Sequence, residues 1–299
     1  MRVLVSGSSG LIGSALVTGL RAGGHDVVRL VRRAPSGPDE VRWDPSAGTL
    51  DPADLGRLDG IVHLAGEGIG EKRWTPAQKR RIRDSRIDGT RLLAETAAAL
   101  EPTPSVFVCG SAIGYYGLRG DEVLTEASSA GTGFLAELTV DWEAAAAPAE
   151  AAGIRTVFVR TGIVIAPKGG AFGRLLPFLK LGLGGRLGTG RQWWSWITLE
   201  DEVRLLVHAL ETESLRGPVN ATAPQPATNA EIVKAAGRVL GRPTVLPVPK
   251  FALSLVMGAE LTEEVILAGQ RARPEAAEAS GFTFSHPDLD SGMRAMLKG

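Results

Sequence analysis

The chain has 299 residues, enough for a large domain with an added lobe, and 44% hydrophobic with 22% charged residues is the composition of an ordinary globular enzyme. Its 33 basic residues balance 33 acidic ones, which argues against a phosphate-backbone partner, so no nucleic acid is expected. No run approaches the ~20 apolar residues of a membrane span, and Met1 leads directly into strand-like sequence with no room for a signal peptide, so a cytoplasmic protein without a membrane partner is expected.

Taken in chain order, Arg2 to Ser6 is a short apolar run ending at Gly7, followed by a periodic apolar segment from Leu11 to Leu20: strand, tight turn, helix. Gly23 and Gly24 stop that helix, and Val27 to Val31 forms a second buried strand. Val41 to Trp43 reads as a short third strand, Ile61 to Leu64 as a fourth and Ser105 to Cys109 as a fifth. A long helix spans Pro76 to Leu100, another runs from Phe134 to Ala152, and a sixth strand covers Arg155 to Arg160. This alternation predicts an α/β protein with a doubly wound parallel sheet covered on both faces. Beyond Ile165 the alternation fades into a glycine-rich stretch, a tryptophan cluster and helices at Asp201 to Leu210, Asn229 to Leu240, Phe251 to Met257 and Thr262 to Arg271. The organisation expected is a Rossmann domain over 1–165, a substrate-lobe and sheet-return region over 166–246, and a mostly helical carboxy-terminal domain over 247–299.

The strongest motif is Gly7-Ser8-Ser9-Gly10-Leu11-Ile12-Gly13. A dinucleotide site needs a tight turn out of the first strand, close backbone approach to the pyrophosphate and close helix–strand packing, and glycines at 7, 10 and 13 meet these in turn. The helix opening near Leu11 offers unpaired amides and its positive dipole end to the phosphates, and Ser8 and Ser9 add hydroxyl donors. An NAD site usually ends its second strand with an acid for the ribose 2′-hydroxyl; here that strand ends Val31-Arg32-Arg33. Two guanidiniums there suit a 2′-phosphate, so NADP(H) is the expected cofactor, with a plain exposed basic turn as the alternative. Asp44 fits either an adenine acceptor or an Asp-Pro turn, and Leu64-Ala65-Gly66 either a small-residue wall beside the ribose or a simple strand end. No metal is expected. The single cysteine, Cys109, lies in an apolar run and reads as a buried, inert thiol. The basic cluster Lys79, Arg80, Arg81, Arg83, Arg86 and Arg91 is interleaved with Asp84 and Asp88 and reads as a solvated helix face.

In their order, GSSGLIG, IVHLAG, GSAIGYYG, RTGIVIAP and WSWITLEDEV resemble the extended short-chain dehydrogenase/reductases, the sugar-nucleotide epimerase group. A closer resemblance is to a subgroup labelled "epimerase family protein" or cell-division-inhibitor-like, with its own carboxy-terminal domain. Its marks here are Arg42-Trp43-Asp44-Pro45, Ser85-Arg86, Asp141-Trp142-Glu143 and Gly269-Gln270-Arg271. The resemblance implies an NAD(P)-binding Rossmann fold in which Arg32 contacts the 2′-phosphate, Leu64 and Ala65 line the cofactor cleft and Arg86 reaches the cofactor. It also implies that Gly110 and Ser111 lie beside the reactive ring, with Thr161, Gly162, Ile163 and Val164 near the nicotinamide. A homodimer through paired helices is compatible with such a fold.

The departure from the family is chemical. Active members use a serine, a tyrosine and a lysine four residues after that tyrosine, the tyrosine moving the substrate proton while the lysine lowers its pKa. The helix that should carry the pair places Phe134 and Leu138 at that spacing, and neither exchanges a proton. Tyr115 and Tyr116, the only tyrosines in the chain, follow Ser111 in the same loop and read either as replacement proton donors or as an aromatic lid. Glu67 and Glu137 are further candidate bases, and His63, inside an apolar strand, reads as a packed histidine. Trp193, Trp194 and Trp196 read as core or as the aromatic wall of a ligand pocket, with Trp194 and Trp196 taken as substrate contacts. Lys168, Arg174, Arg186 and Arg191 carry no assigned role. The expected activity is an NADP(H)-dependent oxidation or reduction of a small alcohol or carbonyl compound; the alternatives are a non-catalytic NADP(H)-binding sensor or scaffold and a nucleotide-sugar epimerase.

Overall fold

The computed structural model describes residues 1–298. Seven strands form one sheet: β1 (Arg2–Ser6), β2 (Asp26–Val31), β3 (Glu40–Arg42), β4 (Gly60–His63), β5 (Val106–Ala112), β6 (Arg155–Thr161) and β7 (Gly217–Ala221), in the order 7-6-5-4-1-2-3. Every neighbouring pair is parallel. Strand order therefore reverses between β1 and β4, and that switch point is where an open α/β sheet forms its crevice. The α/β Rossmann fold expected from the alternation is the fold observed.

Parallel strands buried on both faces explain the near-continuous apolar runs. Val3 and Val5 point into a core shared with Leu16 and Leu20 of α1 (Leu11–Ala22). Leu4, Phe107 and Cys109 point the other way, against Leu93 and Ala97 of α2 (Pro76–Ala99) and Trp142 of α3 (Phe134–Ala144). A third core joins α4 (Gly170–Lys180), α6 (Asn229–Leu240) and α7 (Leu289–Lys298) around Trp194 and Trp196. Between α4 and α6 in the chain, α5 (Leu199–Glu211) covers the first core through Leu205, Leu206 and Ala209. Helix starts follow local chemistry: Thr75, Thr198 and Thr228 each accept a backbone amide three residues on, and Thr228 completes a capping box with Glu231.

Three expectations change. The helix expected from Phe134 to Ala152 ends at Ala144 and resumes as a short Ala147–Ala151 turn carrying Pro148, which lacks an amide to continue it. Thr262 to Arg271 is not one helix: a wide turn at Thr262–Ile266 gives way to an extended Arg271–Ala272 that pairs with Val123–Leu124. The return to the sheet expected somewhere within 166–246 narrows to one strand that the sequence did not place, β7, at the sheet edge beside β6. Among the described residues no helix is long and apolar enough to cross a membrane.

The turn after β1 sets how closely α1 approaches the sheet. A Cβ on Gly13 would lie 2.2 Å from the Gly7 carbonyl oxygen, backbone that cannot step aside, whereas one on Gly10 would meet only that oxygen at 3.3 Å. Gly13→Ala is expected to cost at least the roughly 1–3 kcal/mol of an overpacked core, and Gly10→Ala clearly less, measured by urea denaturation of the two variants side by side.

Candidate active site

The crevice begins at Gly7, whose φ of 69° is open mainly to glycine. A Cβ there would sit 2.7 Å from the Leu64 carbonyl carbon and oxygen, so the turn after β1 lies directly against the end of β4. The Gly10 amide donates to the Gly7 carbonyl at 3.0 Å and closes the turn. No side chain caps α1 at Gly10, so the first amides of the helix, around Leu11, Ile12 and Gly13, are left facing the crevice mouth beside Ser8 and Ser9. That cradle can seat an anion such as a pyrophosphate.

At the end of β2 the two arginines part company. Arg33 makes a bidentate pair with Glu40, at 2.7 and 2.6 Å, and Glu40 also accepts from the Ser36 amide and hydroxyl. Arg33, with the Ser36 contacts next, holds the Glu40 carboxyl down to about 2. Arg33 is thus a brace for the loop, a correction to its expected place on the phosphate. Arg32 is exposed and has no ion-pair or hydrogen-bond partner among the described residues, which leaves its guanidinium available. Asp44 forms the plain turn: its Oδ1 accepts from the Ser46 amide and hydroxyl and the Ala47 amide, leaving Oδ2 open.

At the end of β4, Leu64 and Ala65 donate their amides to the Ser6 hydroxyl. Beneath Gly66 lies the Arg86 guanidinium, 3.2 Å from where a Cβ would stand. It donates to the Glu67 carbonyl and sits over Trp142, and burial lowers its pKa to about 10. His63 is fully buried, its Nδ1 2.6 Å from the Ser6 hydroxyl, and burial with the nearby Arg86 charge lowers it to about 4. It is a neutral, packed histidine. Glu67 is held below the usual carboxylate range by its hydrogen bond from Gln78 and by the neighbouring cations, the opposite of the upward shift that marks a carboxylate tuned as a general base. Glu137 is exposed on α3.

The ends of β5 and β6 carry a connected polar network. Ser111 donates to Glu143 at 2.6 Å, and Arg160, directly beside Ser111 in the sheet, makes a two-point pair with Glu143 at 2.8 Å each. Arg160 also donates to the Tyr116 hydroxyl at 3.2 Å, and that hydroxyl donates to Asn220 at 2.7 Å. Burial works against the Arg160 charge, but Glu143 and Tyr116 outweigh it and hold its pKa above the ordinary value. Tyr116 is 0% exposed and its pKa is raised by burial, so it is structural rather than a lid or a proton donor, a correction to its catalytic assignment. Tyr115 is half-buried, its ring centroid 3.4 Å from the Arg160 guanidinium carbon, with its hydroxyl unengaged among the described residues. Glu143 stood in one of the subgroup's marks without a role, and Arg160 and Asn220 were not singled out; for Arg160 the signal was a charged residue near the end of a strand of buried apolar ones.

Gly110 packs against the His63 carbonyl, and Gly162 against the Ser195 carbonyl, with no room for a side chain at the second. The Gly162 and Ile163 amides are spent on Ala221 and Ser195, and Ile163–Ile165, including Val164, ladders with Trp196–Thr198. Thr161 donates to Glu202, a fully buried carboxyl whose Oε2 has no partner and whose pKa burial raises to about 7. Trp194 and Trp196 are buried, their indole nitrogens donating to the Ile266 and Gln225 carbonyls. They are core, which corrects their expected place on the substrate; the neighbouring Trp193 is the tryptophan that lines a cavity.

Comparison with known proteins agrees with this geometry. Residues 3–221 match the model of the NAD dependent epimerase/dehydratase family. The chain belongs to that family. Residues 248–296 match a second model, a domain of unknown function named DUF1731. The chain is similar to Epimerase family protein Mb2239 of Mycobacterium bovis, 49% identical over 97% of this chain and 96% of that protein. It is similar to the crystal structure of human epimerase family protein SDR39U1 (isoform 2) with NADPH, at 34% identity, a TM-score of 0.90 and full coverage of both chains, 100% each. It also resembles a nucleoside-diphosphate sugar epimerase from Corynebacterium glutamicum, at 38% identity and a TM-score of 0.81, covering 99% of this chain and 58% of that one.

Within this family member the place of the usual Tyr-x-x-x-Lys pair is apolar. The Phe134 ring packs edge-on against Trp74 at 5.1 Å with Lys79 4.4 Å from its centroid, and Leu138 is buried.

Glu202 supplies a stability test. Its folded pKa lies above its unfolded one, so its contribution is intact below about pH 4.5 and is lost as pH rises to about 7, an order of 3 kcal/mol. Glu202→Gln is therefore expected to raise Tm by several degrees at pH 8 and by almost nothing at pH 4.5, measured by thermal unfolding at both.

Proposed function

We propose that this protein is an NADP(H)-dependent oxidoreductase that interconverts a small carbonyl compound and its alcohol, with Tyr115 as the proton donor. The observation that carries this reading is that Tyr115 has the one unengaged hydroxyl among Ser111, Tyr115 and Tyr116, held face-on against Arg160. The crevice fits the cofactor: the tight turn at Gly7, the uncapped start of α1 and the unpaired Arg32 together form a cradle for phosphates. Binding of NADPH in the crystal structure of human SDR39U1 supports the same choice.

In this reading Ser8, Ser9 and the amides at the start of α1 hold the pyrophosphate, and Arg32 grips the 2′-phosphate. Leu64, Ala65 and Gly66 back the ribose, Thr161 to Val164 flank the nicotinamide, and the bound cofactor supplies the hydride. Ser111 already donates its proton to Glu143, so toward a ligand it can only accept, which orients a substrate hydroxyl. Tyr115 gives its proton to the carbonyl oxygen, and the negative charge left on the phenol lies against the Arg160 guanidinium that Glu143 fixes in place.

A second reading, a non-catalytic NADP(H)-binding sensor, is favoured by the apolar pair Phe134 and Leu138, and one set of measurements separates the two. Arg32→Ala is expected to weaken NADPH binding about 10- to 100-fold, the worth of one charge-assisted contact, and to leave NADH binding unchanged. With cell-extract fractions as the substrate source, cofactor-loaded protein is expected to oxidise NADPH, followed by its absorbance. Tyr115→Phe should lower that rate roughly 100-fold or more with NADPH binding intact. No oxidation in any fraction, with cofactor bound, is the result the sensor reading expects.

A further inference from the structure

A cavity of about 650 Å³ lies beyond the loop that carries Tyr115, outside the cofactor crevice described above. Its size is that of a small-molecule site. One wall is the loop Leu118 to Asp121, a second is the glycine-rich stretch Arg186 to Trp193, and the third comes from the carboxy-terminal segment through Pro249, Lys250, Leu267 and Gly269. That segment is sewn to the other two walls: Gly185 bridges to Val245 and Leu187 to Val248, Trp194 bridges to Gln270, and the Gln270 side chain donates to the Gly117 carbonyl at 2.9 Å.

The charge on these walls is lopsided. Arg186 and Arg191 have no ion-pair partner among the described residues, and Lys250 pairs with Glu263. The lone lining carboxylate, Asp121, is engaged in fixing the Trp193 indole nitrogen at 2.7 Å. The Arg271 guanidinium lies 4.4 Å from the Trp193 ring centroid, and its Nε is buried without a partner. Arg271 stands behind the lining, so its charge reaches the cavity only through the Trp193 ring it stacks on. Leu118, Pro247, Pro249, Leu267 and the Trp193 ring give the lining its apolar part, and Thr189, whose hydroxyl oxygen accepts from the Arg191 amide, adds a polar group. Gln192 already donates its Nε2 to the Leu187 and Ile266 carbonyls. The walls thus offer an excess of positive charge beside a flat apolar surface.

We propose that this cavity binds a small organic anion, a carboxylate or phosphate ester on a flat apolar body, and that the carboxy-terminal segment serves to complete it. The anionic group meets Arg186 and Arg191, with Lys250 and Arg271 adding positive field, and the apolar body lies along Trp193 and Leu267. The site stands independently of the redox reading; only its role as the substrate's anchor beside Tyr115 rests on that reading.

The test is calorimetric titration of the full chain, without cofactor, against 1-naphthyl phosphate, 1-naphthylacetate, the neutral 1-naphthylmethanol and UDP-glucose. At least one naphthyl anion is expected to bind ten or more times tighter than the neutral compound and than UDP-glucose, and the phosphate and acetate arms show which anionic group is preferred. Arg191→Gln and Arg186→Gln should each weaken that binding at least tenfold at unchanged Tm. Absence of binding by both anions at millimolar concentration, or affinity indifferent to both substitutions, overturns the site. Tighter binding of UDP-glucose overturns the apolar body and points to a sugar nucleotide. Because the readout is binding without NADPH, failure here leaves the redox reading standing, and loss of NADPH turnover leaves this one.

Discussion

The polar network at the open end of the sheet depends on one largely buried ion pair, Glu143 with Arg160. Taking two charges out of water costs several kcal/mol per ion, repaid only when geometry and further hydrogen bonds are good. Here the pairing is two-point, and the Ser111 and Tyr116 hydroxyls occupy remaining positions on the two groups. Glu143 stands in the last turn of α3, so the helix must dock with that turn over β5 and β6 for the pair to form. The pair therefore sets the register of α3, holds Ser111 and gives Tyr115 a fixed cationic floor. Where related enzymes carry a lysine on the helix beside their tyrosine, this chain carries its positive charge on a strand and its free phenol on a loop.

Two other ionisable groups show how dry this end of the sheet is. His63 stays neutral with Nε2 unpartnered, and Glu202 tends to hold its proton with Oε2 unpartnered. Both lie at strand ends or beneath them, where a cofactor crevice meets packed core, and in both the uncharged form is the one that burial favours. The network around Arg160 is the exception, and it survives because every charge in it is met.

The parts of the fold that could be read from the sequence are those governed by local periodicity. β1, α1, β2 and the glycine turn are legible because buried parallel strands are apolar throughout and the turn demands glycine where Gly7 and Gly13 touch other backbone. β7 was not, since Gly217-Pro218-Val219-Asn220-Ala221 has little apolar character; it is held as an edge strand by β6, and its Asn220 serves Tyr116. At the site, the positions of Gly7, Arg32 and Leu64 follow from the motif order. The fates of Arg33, Asp44 and Tyr116 were not legible, because each depends on a partner brought close by folding or turn geometry: Glu40, Ser46, and the pair Arg160 and Asn220. Three tryptophans in a row of four residues cannot be sorted by pattern either. A strand-like alternation buries Trp194 and Trp196 against α6 and α7, and leaves Trp193 facing the cavity.

A phenol on a loop is a poor acid–base group if the loop moves, because proton transfer needs the donor within hydrogen-bond reach of the reacting oxygen. This loop is tied at many points. The Tyr115 carbonyl accepts from Gly131, the Gly117 carbonyl from Gln270, and Val123–Leu124 pairs with Arg271–Ala272. Glu126, whose pKa burial raises, accepts from the Asn220 and Ala276 amides and so joins the loop to β7 and to the carboxy-terminal segment at once. The same segment that walls the arginine-lined cavity therefore also fixes the loop carrying Tyr115. A change in that wall would reach the phenol through Gln270 and Arg271 rather than through the turn after β1, which couples the shape of the cavity to where the Tyr115 hydroxyl stands.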